Sequence, residues 1–545
     1  MVNSMRQVFG RYLGQLSRRD LFRRGSMLAA APAVFGPAAH AAPAPSSAGK
    51  LQLVPGDIYR SIGVRPLINC RGTYTVISGS LELPEVRAAA EVAAQHHVAL
   101  DELMEGIAAR IAQITGADWA LVSAGCAAGI AHTTAACVTG GNPDLHVRIP
   151  DLAGFAKDEV VIPKVSRNQY DQAVRSVGVR IVEVGDAAEY EAALGPKAAM
   201  VYIMASPRLE NGPLTYEAVY SIARKKNVPV FTDAAAEMLT IPNLHLQNGA
   251  TFVGYSGGKC LRGPQCAGLI LGRKDLLRAA WVSSAPHHGH GRAMKIGKEE
   301  MVAMLAAVEM WALRDHKKED EMWTAWMQAI ADRVGKIDGV NTAIRQPRSI
   351  DNHSPGLDIR WDPAGLGITG DEVANLLWTT EPRIAVNSGG SGRNRNQTGI
   401  SLTAYMMRPE DVSIVANRLH EILSAKRPDW KPETPSAPAA DLNGRWDVKI
   451  QFAAGTGEHA LYIRQQGNQL VGTHQGEFTA RDFRGTISGS DVRIVSSVGE
   501  EHGAAITYSF TGKLDGETLS GDLSLGEYLG AKWTAVRHRF GRDAG

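Results

Sequence analysis

Cysteine is scarce and without pattern. Cys70, Cys126, Cys137, Cys260 and Cys266 are spread over 545 residues. Their spacing fits no zinc set and their odd number excludes a complete disulfide framework, so free buried thiols are expected. Charge of one sign is lacking too. The 58 Lys and Arg nearly cancel the 56 Asp and Glu, leaving +2, so nothing calls for a nucleic-acid partner. No stable membrane anchor is expected, because the apolar run from Met27 to Ala39 falls short of the roughly 20 residues that span a bilayer. What remains is an ordinary globular balance, 44% hydrophobic and 21% charged, in a chain long enough for two or three domains.

The N-terminus carries Ser17-Arg18-Arg19-Asp20-Leu21-Phe22-Arg23-Arg24, then the apolar run, then Ala39-His40-Ala41. A basic region, a short apolar region and a small-residue cleavage pattern predict a twin-arginine signal peptide over residues 1–41. They also predict a periplasmic or otherwise exported protein, carried across already folded. Residues 42–57 are expected to be a flexible lead-in.

Short apolar strands alternate with helices from 58 to 285, as a buried, mostly parallel sheet requires. Residues 286–425 are expected to hold one long helix, 299–335, and a small α+β domain. A proline-rich linker over 426–440 follows. In 441–545 the pattern changes: Trp446, Val448, Ile450 and Phe452 alternate with polar residues, and strands recur every 8–12 residues by the spacing of small antiparallel barrels and sandwiches. His459, His474 and His502 read there as scattered surface residues.

Three segments carry chemistry. In Val122-Ser123-Ala124-Gly125-Cys126-Ala127 a strand turns through small residues into a helix, whose bare N–H groups suit a phosphate. In Phe231-Thr232-Asp233 a carboxylate ends a buried strand. In Ser256-Gly257-Gly258-Lys259 a lysine stands among small residues that allow close approach, with a hydroxyl three residues earlier. A phosphate turn, a carboxylate for a pyridine nitrogen and an amine for an aldehyde are what pyridoxal 5'-phosphate (PLP) requires. Their order matches the large domain of the aspartate-aminotransferase-like fold, PLP fold type I. The expected cofactor residues are Gly125, Cys126, Ala127, Asp233, Ser256 and Lys259, with Lys259 and Asp233 catalytic.

Thr232-Asp233-Ala234-Ala235-Ala236-Glu237 and the run Ser256 to Gln265 resemble the L-seryl-tRNA(Sec) selenium transferase-like family, which includes D-glucosaminate-6-phosphate ammonia-lyase. Pro66 to Thr73, Gly272 to Leu276 and Gly291 to Glu300 support the likeness, which covers about 58–425 and excludes the signal and the β region. It implies PLP bound to Lys259 as a Schiff base, Asp233 on the ring nitrogen, and an active site completed across a homodimer. Ser166 departs from the histidine of many relatives, and Cys260 and Cys266 stand where small or hydroxyl residues are expected.

A substrate carboxylate calls for an arginine fork, and Arg71, Arg262, Arg292 and Arg383 are the candidates. Tyr170, Tyr255 and His132 are further candidates to stack on or bond to the ring. His287-His288-Gly289-His290 is read as a loop and no metal site is assigned, because adjacent histidines on a glycine-rich loop fix no coordination geometry. The leading expectation is an α,β-eliminating ammonia lyase acting on an amino acid or amino sugar acid. A racemase or epimerase, a transaminase and a catalytically silent ligand-binding protein are the alternatives. Export argues against selenium transfer on a cytosolic tRNA.

Overall fold

A computed structural model describes residues 57–389, 397–427, 435–497 and 507–539. The signal segment 1–41, the lead-in up to residue 56, the middle of the linker and His502 lie outside the described residues. The chain divides into two compact units. Among the described residues, the larger holds 65–389 and 397–427, and the smaller 57–64, 435–497 and 507–539.

The larger unit opens with β1 (Ile68–Asn69), β2 (Trp119–Ser123), β3 (Glu159–Pro163), β4 (Arg180–Val184), β5 (Ala198–Met204), β6 (Val230–Asp233), β7 (Phe252–Ser256) and β8 (Gly268–Gly272). Strands β2 to β8 make one seven-stranded sheet in the order β2-β8-β7-β6-β5-β3-β4. Pairing is parallel from β4 through β7. Strand β8 alone runs antiparallel to both its neighbours, β2 and β7. Every residue of β2, β3 and β8 is buried, which explains their unbroken apolar runs: helices cover both faces, so no side alternates to polar. The helix Cys126–Thr139 is buried almost all round and is correspondingly made of Ala, Gly, Thr and Cys, small enough to lie close against the sheet.

The second part of this unit holds β9 (Asn341–Arg345), β10 (Gly356–Trp361), β11 (Ile384–Ala385), β12 (Asn387–Gly389) and β13 (Thr398–Thr403). They form an antiparallel sheet, β12-β13-β10-β9, while β11 pairs in parallel with β1. Its core contains Met327, Ile330, Ile359, Trp361, Leu402 and Leu419. The single helix expected over 299–335 is two helices, Lys298–Leu313 and His316–Val334. Arg314 is extended, and the Asp315 side chain caps the second helix by accepting from the Lys318 N–H at 3.0 Å. No glycine or proline marks the junction, where Arg314 to Glu321 are all polar or charged, but a capping aspartate starts a new helix there.

The smaller unit is a closed antiparallel barrel, not a sandwich: β14 (Gly444–Gln451), β15 (Thr456–Gln466), β16 (Gln469–Gln475), β17 (Ala480–Ser488), β18 (Asp491–Ser497), β19 (Thr507–Asp515), β20 (Thr518–Ser524) and β21 (Gly530–Arg537). Strand β21 closes on β14, which removes both sheet edges. Trp446, Ile450, Leu461, Phe483, Phe510 and Trp533 fill the interior. The end of the expected linker is bound to this barrel: the Ala439 N–H donates to the Gly489 carbonyl at 2.8 Å and the Ser436 N–H to Ser488 Oγ at 3.0 Å. His459 and His474 are not scattered surface residues. Both face inward, buried, with Nδ1 of the first 2.8 Å from Nε2 of the second.

Candidate functional site

The first wall of the site is the turn after β2. Gly125, at φ +86°, is the N-cap of the helix Cys126–Thr139, a conformation that costs glycine little. The first-turn N–H groups of Cys126, Ala127 and Ala128 have no intrahelical acceptor and form an anion cradle at the positive end of the helix. On β8, Gly268 allows the helix to come this close, since a Cβ there would lie 2.3 Å from the Cys126 nitrogen. Gly125, Cys126 and Ala127 thus sit together where a phosphate fits.

Asp233 ends β6 and is almost wholly buried. Its Oδ2 accepts the Tyr202 hydroxyl at 2.7 Å. Its Oδ1 accepts from the Ala235 N–H at 3.2 Å and the Cys126 thiol at 3.9 Å. Burial pushes the Asp233 carboxyl up, with the Tyr202 hydroxyl and the Lys259 charge pulling it back down. Among the described residues it makes no ion pair within 4 Å, so a cationic ring nitrogen would be a fitting partner. Tyr202 in turn accepts from Asn168 Nδ2 at 3.1 Å, and Asn168 also donates to the Ser166 carbonyl at 2.8 Å. The loop carrying them is held by fully buried Asp171, which accepts from Arg167 at 2.6 Å and Arg175 at 2.9 Å. Ser166 is buried, and its hydroxyl has no partner among the described residues.

Lys259 follows β7, after half-buried Ser256. The loop is pinched by hydrogen bonds from Gly257 N to the Ala267 carbonyl and from Gly263 N to the Gly257 carbonyl, both 2.8 Å. The Lys259 charge pulls the pKa of Asp233, Cys126 and Cys260 down against the opposing effect of burial, so the amine, the carboxylate and the helix N-terminus form one electrostatic neighbourhood. Residues 80–83 line the loop: Ser80 N donates to the Gly258 carbonyl (3.0 Å) and Arg262 Nε to the Leu81 carbonyl (3.0 Å). Beside it the Cys260 thiol donates to the Glu237 carbonyl at 3.1 Å, and burial raises it to about 11. Glu237 anchors a buried chain through His245 (2.7 Å), Tyr220 (3.1 Å) and Thr232 (3.0 Å). A small pocket adjoins Cys260, lined by Met238, Arg262, Arg314, Asp320 and Tyr405 among others.

The four arginines fare differently. Arg262 lies at this pocket, its pKa lowered by burial. Arg71 bonds Asn387 Oδ1 at 3.1 Å and lies 4.8 Å over the Tyr74 ring. Arg383 stacks on Trp378 at 3.7 Å, with Nε buried and unpartnered among the described residues. Arg292 is exposed and is not gathered into the site. Of the aromatic candidates, Tyr170 is exposed, and Tyr255 is buried as an acceptor for Asn243 Nδ2 at 2.6 Å. His132 is buried with both ring nitrogens unpartnered among the described residues. Sequence reasoning missed Tyr202 and Asn168. Their signal was faint: a lone tyrosine in an apolar strand and an asparagine in the Ser166 loop.

No family model matches the chain. D-Glucosaminate-6-phosphate ammonia lyase of Salmonella typhimurium is 30% identical over 378 residues, 67% of this chain and 98% of that protein. A 5'-C-glycyluridine monooxygenase-decarboxylase of Streptomyces sp. is also 30% identical, over 67% of this chain and 92% of that protein. An L-seryl-tRNA(Sec) selenium transferase of Proteus mirabilis matches at 30% over 17% of this chain and 21% of its own length. The solved structure of D-glucosaminate-6-phosphate ammonia-lyase superposes with a TM-score of 0.59, covering 67% of this chain and 98% of that one. An anion cradle, a buried carboxylate and a lysine within mutual electrostatic reach suit the phosphate, ring nitrogen and aldehyde of PLP. With the likeness running over 98% of the ammonia lyase, the chain is a PLP-dependent enzyme of the ammonia-lyase and selenium transferase-like family, fold type I.

Proposed function

We propose that the chain is an ammonia lyase that removes a proton from Cα and a leaving group from Cβ of an amino acid or amino sugar acid, giving a 2-oxo product and ammonia. The observation carrying this reading is the likeness to D-glucosaminate-6-phosphate ammonia lyase over 98% of that protein. PLP, when bound, supplies an electron sink for the charge left at Cα. Lys259 would hold it and, once freed, would be the base for the Cα proton. Asp233 would partner the ring nitrogen, and the Tyr202 hydroxyl, supported by Asn168, holds the carboxylate in place. Gly125, Cys126 and Ala127 take the phosphate, with Ser256 as a further hydroxyl donor. Arg262 or Arg383 orients the substrate carboxylate.

The reading includes a homodimer. It also includes export through the twin-arginine pathway, supported by Arg18-Arg19, the apolar run and Ala39-His40-Ala41. Selenium transfer on tRNA has no support in a chain of net charge +2.

The test is proton NMR in heavy water with D- and L-amino acids and amino sugar acids, phosphorylated and free. A 2-oxo acid and ammonia formed without an amino acceptor support the lyase. Mirror-image product with solvent deuterium at Cα makes the enzyme a racemase or epimerase, and product formed only with an amino acceptor makes it a transaminase. A visible band of bound PLP that disappears in Lys259→Ala separates each of these from a silent binding protein.

A further inference from the structure

Elimination has a second proton to place. A hydroxyl leaves Cβ readily only when an acid protonates it. Asp233 is unsuited to that task, since it has to stay ionised to partner a ring nitrogen, and Lys259 is engaged at Cα. The Lys259 charge acts on one more carboxyl, that of Asp351, a residue on the loop between β9 and β10.

Backbone pairing puts Asp351 beside the site. Residues 350–352 run antiparallel to the segment that follows β6. The Met238 N–H donates to the Ile350 carbonyl and the Asn352 N–H to the Ala236 carbonyl, both at 2.9 Å, so Asp351 pairs directly with Glu237. The Glu237 carbonyl in turn accepts the thiol of Cys260, the residue after Lys259, at 3.1 Å. The loop is anchored from its far side. His353 Nδ1 lies 2.9 Å from the Ser349 carbonyl, and its Nε2 lies 2.9 Å from Asp320 Oδ2 on the helix His316–Val334. Just beyond neighbouring β5, the Ser206 N–H donates to the Tyr216 hydroxyl at 2.8 Å, and the Asp351 charge reaches that hydroxyl too. Ser206 Oγ is buried with no partner among the described residues.

Asp351 is half-buried and makes no ion pair within 4 Å among the described residues. Its Oδ1 accepts from Asn352 Nδ2 at 3.0 Å. Burial pushes the carboxyl up, helped by the Glu237 charge, against the Asn352 amide and the Lys259 charge. That last influence couples the two groups. A neutral Lys259 amine lets Asp351 hold a proton, and a Lys259 that has just accepted one from Cα drives the Asp351 proton off.

We propose, resting on the lyase reading, that Asp351 is the general acid that protonates the oxygen leaving Cβ. The Cα–H bond breaks and its proton passes to Lys259 Nζ. The electron pair left behind becomes the second bond of Cα=Cβ. The Cβ–O bond breaks with its electrons on oxygen, which takes the Asp351 proton and departs as water. The unsaturated amine, once released, takes up water to give the 2-oxo acid and ammonia, and Lys259 and Asp351 return to their starting forms by exchange with solvent.

The test compares the PLP-loaded full chain with Asp351→Asn by proton NMR in heavy water, using D- and L-serine and amino sugar acids, phosphorylated and free. Formation of 2-oxo acid should fall by about a hundredfold or more. Loss of the Cα proton, read as deuterium in recovered substrate, should stay within about threefold of wild type. Asp351→Glu, which keeps an acid, should restore most of the product rate. Apart from turnover, the pH midpoint of the visible PLP band should move down in Asp351→Asn, because an ionised carboxylate near the Lys259 nitrogen is gone. Equal loss of both rates marks a structural fault and overturns the proposal, as does unchanged product formation or an unmoved midpoint. Should Asp351→Asn fail to fold, Asp351→Ser is read by the same measures. If the wild type yields no 2-oxo acid from any of these compounds, the lyase reading falls and this role for Asp351 falls with it.

Discussion

Tyr202, on β5, donates its hydroxyl hydrogen to Asp233, at the end of the adjacent strand β6, across 2.7 Å. This bond is the first of the contacts, with the Lys259 charge and the Ala235 N–H, that oppose the burial driving the Asp233 carboxyl upward. Tyr202→Phe removes the donor, so Asp233 rises further and is ionised only at higher pH. A hydrogen bond to a charged group contributes about 1.5–3 kcal/mol, so PLP affinity should fall roughly tenfold to a hundredfold. The loss should deepen as pH is lowered. Spectrophotometric titration with PLP at several pH values reads both effects.

Gly268→Ala places a methyl group against the Cys126 nitrogen, and the helix N-terminus must move away. Overpacking of this kind costs about 1–3 kcal/mol. Weaker PLP retention on dialysis should accompany the lower denaturation midpoint. An unchanged affinity would place the phosphate away from this turn.

His132 predicts an acid-sensitive fold. Burial, then His290 and His146, hold it at about 3, against 6.5 in a free chain. The unfolded chain therefore takes up a proton in the window between those values while the folded chain does not. Its contribution is whole above pH 6.5 and declines as pH falls through the window, by about 2 kcal/mol at pH 5. Thermal unfolding from pH 7 to 5 should show the decline, and His132→Leu should flatten it.

Arg383 is held flat on Trp378 with Nε unpartnered among the described residues. A lysine keeps the charge but cannot form the two-pronged contact. Arg383→Lys should raise KM about tenfold, on the order of 1.4 kcal/mol, with a smaller change in kcat. Steady-state kinetics that leave KM unchanged would move the carboxylate contact to Arg262.

The three PLP-type segments were legible because each is a run of neighbouring residues: a small-residue turn, a strand-end aspartate, a lysine after two glycines. Tyr202 and Asn168 were not, because they meet Asp233 only once β5 lies beside β6, and strand order is written in no local pattern. The helix break at Arg314 and Asp315 was hidden because no glycine or proline marks it and the charged run Arg314 to Glu321 also suits an exposed helix. His459 shares inward parity with Leu461, and His474 with Leu470. Strand alternation alone pointed them into the barrel, although nothing local placed one against the other.

The antiparallel strand β8 also bears on how the enzyme comes into being. Ser123 pairs with Gly268, so the β2 turn acquires its neighbour only after more than a hundred intervening residues have found their places. Contacts this distant in sequence form late and slowly. A chain with β2 and its helix in hand still lacks the lysine and the floor beneath the cradle. Uptake of PLP should therefore coincide with the last step of sheet assembly, and the growth of its colour during refolding would time that step directly.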